Sequence, residues 1–160
     1  MTGLPQIAVR HYIATFVGCL LIALLPGAIG SAFPPDAWYF GLEKSSLTPP
    51  NWVFPVAWTS LYVMIGISLY AFVMKADGKR RPALVVFAIQ LVLNGAWSWL
   101  FFGLHQPGLA PVDIVLMWLP IVATIVTFGR DSKLAAALLV PYLLWVSFAS
   151  YLNFAIWSAN

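Results

Sequence analysis

Five long runs of apolar residues, separated by short polar segments, dominate the hydrophobic pattern of the chain. Each run is close to the roughly 20 residues that a helix needs to cross the hydrocarbon of a bilayer. A barrel strand is about ten residues long and alternates polar with apolar side chains, and these runs do not alternate. The pattern therefore predicts five transmembrane helices, at Tyr12 to Gly30, Trp52 to Met74, Ala83 to Gly103, Leu109 to Gly129 and Leu134 to Ile156.

Composition supports an all-α integral membrane protein. Of the 160 residues, 62% are hydrophobic and 8% are charged, whereas about a quarter of the residues of a soluble domain are charged. No linker or repeat divides residues 1–160, so we expect one domain. A signal peptide is the alternative for the first run, because Arg10 precedes it and small residues follow. Its uncharged core is longer than the 7 to 15 residues of a signal sequence, which favours a retained helix.

The basic residues predict the orientation in the membrane. The chain segment before the first helix, the second loop and the fourth loop hold seven of the eight Lys and Arg residues: Arg10, Lys75, Lys79, Arg80, Arg81, Arg130 and Lys133. Lys44 alone lies on the other side. The positive-inside rule then places the N-terminus in the cytoplasm and the first loop and the C-terminus outside. We interpret the basic cluster as a topology signal that also contacts anionic lipid, and we expect no nucleic-acid partner.

Polar residues within the spans form stripes that are mixed with aromatic rings. The second helix has Trp58 and Tyr62 one turn apart. One face of the third helix carries Gln90, Asn94, Trp97, Ser98 and Phe101, and one face of the fifth carries Trp145, Ala149, Leu152 and Asn153. Hydrogen bonds between helices would explain such stripes. A pocket for a flat aromatic ligand is the alternative, because rings offer wide stacking surfaces and small neighbours leave room.

Other conspicuous residues have simpler interpretations. Trp52, Trp118 and Trp157 fit interfacial or lipid-facing positions, and Phe54 is expected beside Trp52 as an interfacial anchor. Asp113 falls in the first turn of the fourth helix, where the helix dipole stabilises a carboxylate.

The sequence offers no support for hydrolytic or metal catalysis. His11 and His105 belong to opposite membrane sides in this topology, so they cannot share a metal ion. No Ser-His-Asp set, phosphate-binding glycine loop or Cys/His metal spacing is present, and no metal site is expected. With no charged residue in mid-span, an ion-coupled transport site also has little to work with.

Three segments together resemble a known family. "PPNWVFPVAWTSLY", "QLVLNGAWSWLFF" and "PYLLWVSFASYLNF" are similar, in order and spacing, to the signature segments of the TspO/MBR family. These are the tryptophan-rich sensory proteins related to the translocator protein, or peripheral-type benzodiazepine receptor. The resemblance implies an antiparallel bundle of five helices, usually a homodimer. It also implies binding of protoporphyrin IX and related tetrapyrroles, sterols in some members, and benzodiazepine-class ligands below the first loop.

The resemblance also assigns ligand-binding residues. By position these are Trp38, Tyr39, Trp58, Tyr62, Asn94, Trp97, Trp145 and Ala149. The first loop departs from the family pattern, since Lys44 is followed by Ser45, and Leu47 stands before Thr48 and the Pro-Pro pair. No Lys or Arg follows Tyr151, so the cholesterol-recognition pattern is absent and the expectation of sterol binding is lower.

Three functions are compatible with these observations. The preferred one is a membrane sensor or receptor for tetrapyrroles, which needs no obligate cofactor. A passive porphyrin transporter is the second, and a light-dependent porphyrin-degrading enzyme, with Trp58 and Trp145 as redox candidates, is the third. We expect a homodimer in a bacterial cell membrane. Small residues support close helix contact, with Ala14 and Gly18 on the first helix and Gly95 and Gly103 on the third; packing within one chain is the alternative.

Overall fold

The computed structural model describes residues 3–76 and 80–160, with side chains from residue 9 onward. Lys79, which contributes to the predicted orientation, lies outside the described residues. Helices account for most of the described chain: α1 Gly3–Ser31, α2 Ala37–Gly41, α3 Val53–Lys75, α4 Arg81–Ser98, α5 Ala110–Asp131 and α6 Lys133–Ala159. Within the described ranges, five helices are long and apolar enough to cross a membrane, namely all but the short α2.

The five predicted spans are confirmed, and their ends follow local chemistry. Helix α3 begins just after Pro49 and Pro50, in keeping with the preference of proline for a position at or before the first turn. Ser132 alone connects α5 to α6, and its hydroxyl accepts a hydrogen bond from the Ala135 N–H, which caps α6. A connection of one residue forces these two helices to run antiparallel.

The spanning helices form a closed ring. Helix α1 packs against α3 and α4, α3 packs against α6, and α5 completes the ring between α6 and α4. Residues 32–52, here called the first loop, contain α2 and lie at one end of the bundle, which we call the loop end. Lys75, Arg81 and Lys133 mark the other end, which we call the basic end.

The half of the bundle toward the basic end is closely packed. A Cβ atom added at Gly66 would lie 2.9 Å from the Leu20 Cα, so α1 and α3 approach at backbone distance there. The Phe72 and Phe128 rings stack with centroids 4.0 Å apart. The Ser68 hydroxyl donates to the Ala135 carbonyl at 2.7 Å, which joins α3 to the start of α6. Small residues that allow close backbone approach are the usual means of joining helices in lipid.

A π-helical turn, Trp99–Gly103, extends α4 at the loop end. It is closed by a hydrogen bond of 2.8 Å from the Leu104 N–H to the Trp99 carbonyl, five residues earlier. The wider turn changes the angular spacing of the side chains. Phe101 and Phe102, although adjacent in sequence, both face the interior of the loop end.

Candidate ligand-binding cavity

The loop end encloses a cavity of about 770 Å³ below the first loop. Its walls come from all five spanning helices and from the first loop. Seven of the eight residues assigned by resemblance line it: Tyr39, Trp58, Tyr62, Asn94, Trp97, Trp145 and Ala149. Trp38 is the exception and does not line the cavity. The volume falls within the roughly 300–1,000 Å³ typical of small-molecule sites.

Aromatic rings on α3 and α6 form one wall. The Trp58 ring stacks on Tyr62 with centroids 5.5 Å apart and an interplanar angle of 25°. The Trp145 ring stands nearly perpendicular to Trp58, at 6.4 Å and 85°. Phe54 meets the other side of Trp145 edge-on at 6.0 Å and also lines the cavity. The expectation that Phe54 anchors at the interface beside Trp52 was therefore wrong, because Phe54 points inward whereas Trp52 is 68% exposed.

A buried chain of hydrogen bonds frames the inner part of the cavity. The Tyr62 hydroxyl donates to Asn94 Oδ1 at 2.8 Å, and Asn94 Nδ2 donates to the Tyr142 hydroxyl at 3.0 Å. The Tyr142 hydroxyl in turn donates to Gln90 Oε1 at 2.8 Å. Asn94 is thus held in place by two tyrosines from two other helices, so its amide is oriented before any ligand arrives.

A second polar link holds the wall between α4 and α6. The Trp97 indole N–H donates to Asn153 Oδ1 at 3.1 Å, and Asn153 Nδ2 donates to the Ala149 carbonyl at 2.8 Å. The Trp97 ring stacks on Phe101 of the π-helical turn at 5.2 Å and 9°. Asn153 and Phe101 had been placed on the polar-aromatic stripes from spacing alone, and both line the cavity.

The two aromatic residues of the first loop have different positions. Tyr39 is buried, lines the cavity and meets Phe102 edge-on at 5.3 Å. Burial raises the pKa of the Tyr39 phenol above its usual range, so the group stays neutral. Trp38 instead stacks on the His105 ring, at 4.3 Å and 17°, on the outer side of Phe101. Trp38 therefore supports the first loop from outside the cavity.

The cavity wall carries no charged side chain among the described residues. Its polar groups are hydroxyls, amides and indole N–H groups, most of them already paired. Two buried atoms of lining residues, Thr48 Oγ1 and Trp145 Nε1, have no hydrogen-bond partner within the described part of the chain. The Trp145 N–H is consequently a donor that the protein itself does not satisfy. Among the described side chains, no three His, Cys, Asp or Glu residues come close enough together to hold a metal ion.

Sequence reasoning missed several features of the wall. Ile114 and Met117 of α5 are fully buried lining residues, but α5 shows no stripe of mixed polar and aromatic residues that could have indicated them. Trp118 is bonded to α6, since its indole N–H donates to Ser147 Oγ at 2.9 Å. Asp113 does lie in the first turn of α5, but it is buried, and its Oδ2 has no hydrogen-bond partner within the described residues.

Two of the small-residue sites are occupied within the chain. A Cβ atom at Gly95 would lie 3.2 Å from Ile29, and one at Gly103 would lie 2.9 Å from Phe33, so both glycines receive the α1 side of the bundle. Gly18 has open space around it, and Ala14 is exposed. Only the α1 pair thus faces away from the chain.

The fold and the cavity together define a multi-pass integral membrane protein with an uncharged, aromatic-lined chamber inside a five-helix bundle. Comparison with known proteins agrees with this class. A model of the TspO/MBR family matches residues 15–158, and the chain belongs to that family.

Relatives match over most of their length. The chain is 48% identical over 154 residues to the tryptophan-rich protein TspO of Chlorobaculum tepidum, covering 92% of this chain and 97% of the relative. It is 38% identical to the tryptophan-rich sensory protein of Cereibacter sphaeroides, with 88% of each chain covered. It is 43% identical to the translocator protein of Sus scrofa, covering 77% of this chain and 75% of the relative.

Proposed function

We propose that this chain is a membrane receptor or sensor that binds a tetrapyrrole such as protoporphyrin IX, and benzodiazepine-class ligands, in the aromatic cavity. The observation that carries the proposal is the cavity itself, with about 770 Å³ of space and walls of rings and amides that carry no charge. A flat conjugated molecule would gain apolar burial and ring contacts there. The name of the Cereibacter sphaeroides relative, a tryptophan-rich sensory protein, also supports a sensory role.

The uncharged wall makes a specific demand on a tetrapyrrole with carboxylate side chains. Burying an unpaired carboxylate is strongly unfavourable, so the macrocycle would enter the cavity while the carboxylates remain at its opening. Esterified protoporphyrin should therefore bind at least as well as the free acid. The Trp145 N–H, which lacks an acceptor among the described residues, supplies a donor for a neutral acceptor on the ligand.

The primary experiment is a titration of purified protein with a free-base porphyrin, first in darkness and then under illumination. Saturable dark binding that the dimethyl ester reproduces would support the receptor proposal. Absence of saturable binding by either form would contradict it. Net porphyrin flux into sealed proteoliposomes would instead favour passive transport.

Light-dependent porphyrin oxidation is a second candidate function, favoured by the position of Trp58 and Trp145. Their rings are 6.4 Å apart and both line the cavity, so a bound macrocycle would contact two indoles, which are easier to oxidise than phenyl rings. Loss of the porphyrin spectrum under light, abolished by Trp58→Phe and Trp145→Phe together while dark binding is kept, would support this activity. Unchanged photobleaching in the double variant would exclude a role for these indoles.

We also propose that the basic end faces the cytoplasm of a bacterial cell and that the first loop lies outside. The described basic residues Lys75, Arg80, Arg81, Arg130 and Lys133 cluster there, with Lys44 alone on the first loop. In a Cys19→Ala background, Ser46→Cys should react with an impermeant thiol reagent added outside the cell, and Asp131→Cys should not. The reverse labelling pattern would overturn this orientation.

A homodimer is the proposed assembly, and the exposed Ala14 and Gly18 on α1 are the proposed point of close contact. Cross-linking in bilayers should capture a dimer in the parent protein and less of it in Gly18→Leu. Recovery of monomers alone in both detergent and bilayers would contradict the proposal.

A further inference from the structure

The lining residues that are also exposed occur on only one side of the cavity. They lie on α1, on the first loop and on α3, and include Leu24, Ala28, Ser31, Phe40, Pro55 and Thr59. The lining residues contributed by α4, α5 and α6 are all buried or half-buried. The cavity therefore opens between α1 and α3, below the edge of the first loop.

The helices on either side of this opening are in close contact deeper in the bundle. A Cβ atom at Gly27 would lie 2.7 Å from the Tyr62 ring, and Gly66 lies against Leu20. Toward the loop end α1 and α3 no longer close on one another, and the space between them joins the cavity. Gly27 and Tyr62 thus form the lower edge of the opening.

The opening lies at the depth of lipid hydrocarbon. Thr59 is six residues after the start of α3 at Val53, about 9 Å along the helix at 1.5 Å per residue. That is less than half of the roughly 30 Å hydrocarbon thickness, so the opening faces one leaflet. Its rim is uncharged, and Leu24, Ala28 and Pro55 make it largely apolar, as a route for molecules dissolved in lipid requires.

The first loop is tied down on the opposite side. His105, in the turn after α4, pairs with Asp36 at 3.1 Å and stacks on Trp38. Asn160, at the end of α6, bonds the Glu43 N–H and carbonyl at 3.0 and 3.1 Å.

A third tie joins the loop to the body of α6, where the Ser45 and Tyr151 hydroxyls lie 3.0 Å apart. The free edge of the loop lies over α1 and α3. Entry from water would have to break these ties, whereas entry between α1 and α3 would not.

We infer that ligands enter the cavity sideways, from the leaflet at the loop end, through the opening between α1 and α3. The inference rests on the proposed function in assuming that the cavity takes a small molecule. It adds the source and the chemical class of that molecule: a hydrophobic compound that partitions into the bilayer before it binds. Its uncharged part enters first, and any carboxylate stays near the interface.

The test measures access to a reporter thiol and does not depend on porphyrin binding. In a Cys19→Ala, Ala149→Cys protein in proteoliposomes, the reporter lines the cavity, and its labelling by a pyrene maleimide that dissolves in lipid is timed. Ala28→Trp and, separately, Thr59→Trp narrow the opening and should slow labelling at least about tenfold. The matched controls are Leu25→Trp and Val56→Trp, exposed on the same two helices but not lining the cavity, and they should stay within about twofold of the parent.

Loosening the first loop provides the opposite arm. Asp36→Asn combined with Asn160→Ala removes the ion pair and the α6 tie, and labelling by the lipid-soluble reagent should change by less than about twofold. Undiminished labelling in both tryptophan variants, or labelling at least about tenfold faster in the loosened-loop variant, would overturn sideways entry. A porphyrin titration of the same proteins tests the proposed function separately, because failure of the ligand to bind would leave the labelling result intact.

Discussion

The two halves of this bundle use the same five helices in opposite ways. Toward the basic end Gly66 brings α1 and α3 to backbone contact, and Phe72 stacks on Phe128 at 4.0 Å. Toward the loop end the rings of Trp58 and Trp145 stand apart as walls, with a cavity of about 770 Å³ between the helices. An open chamber forgoes the dispersion contacts that a packed core supplies. The comparison indicates that the packed half stabilises the fold while hydrogen bonds keep the chamber walls in place.

The largest effect is expected from a methyl group added in the packed half. In Gly66→Ala the new Cβ would lie 2.9 Å from the backbone of Leu20, which cannot rotate away. We expect destabilisation at the upper end of the roughly 1–3 kcal/mol that overpacking costs, measured by unfolding in mixed micelles. Gly18→Ala is the control, since its Cβ meets nothing within 4 Å, and helix propensity should stabilise it by up to about 1 kcal/mol. Equal stability of the two variants would contradict the contrast between the halves.

The next effect concerns the hydrogen-bonded frame between the halves. Tyr142→Phe removes the hydroxyl that joins Asn94 to Gln90 and leaves both amides short of a partner. We expect a loss of about 1–2 kcal/mol of unfolding free energy. Tyr151→Phe removes the same atom from an exposed phenol and should cost less than half as much. A larger loss in Tyr151→Phe would show that the buried frame is not what holds the chamber.

A smaller effect is expected from thinning the chamber wall without removing its rings. Trp58→Phe and Trp145→Phe should each weaken dark porphyrin binding by less than about tenfold, or 1.4 kcal/mol, because a stacking surface remains. Trp52→Phe, on an exposed ring outside the cavity, should leave the affinity unchanged. Dark affinity at the parent level in the double variant would remove this wall from the ligand site.

The smallest effect should come from the attachment of the first loop. Asp36→Asn keeps the acceptor for the Tyr39 N–H and removes the charge that faces His105. The pair is partly exposed to solvent, so its loss should cost less than about 1 kcal/mol, read as faster hydrogen exchange in α2. Asp36→Ala also loses the helix cap and should exchange faster still. Equal exchange in both variants would assign the stabilisation to the charge alone.

The membrane fold could be predicted from sequence because each span is long and uniformly apolar. The positions of Trp58, Trp97 and Trp145 could also be anticipated, since a helical stripe of rings and amides fixes which face turns inward. Phe54 could not, because a ring near a helix end suits either an interface or an interior. Ile114 and Met117 were missed because an apolar residue in an apolar helix carries no signal of what it faces. The opening between α1 and α3 depends on how two helices diverge, which no local pattern records.

The π-helical turn at Trp99–Gly103 has a consequence for how this chain tolerates changes in length. A turn closed by a five-residue hydrogen bond holds one residue more than the α-helical equivalent. Deleting a single residue there would restore regular winding and rotate everything beyond it by about 100°. His105, which is held at φ +52° against Asp36 and Trp38, would swing away from both. The register of the whole outer surface thus depends on one surplus residue, which makes this turn the point where the protein can least afford a deletion.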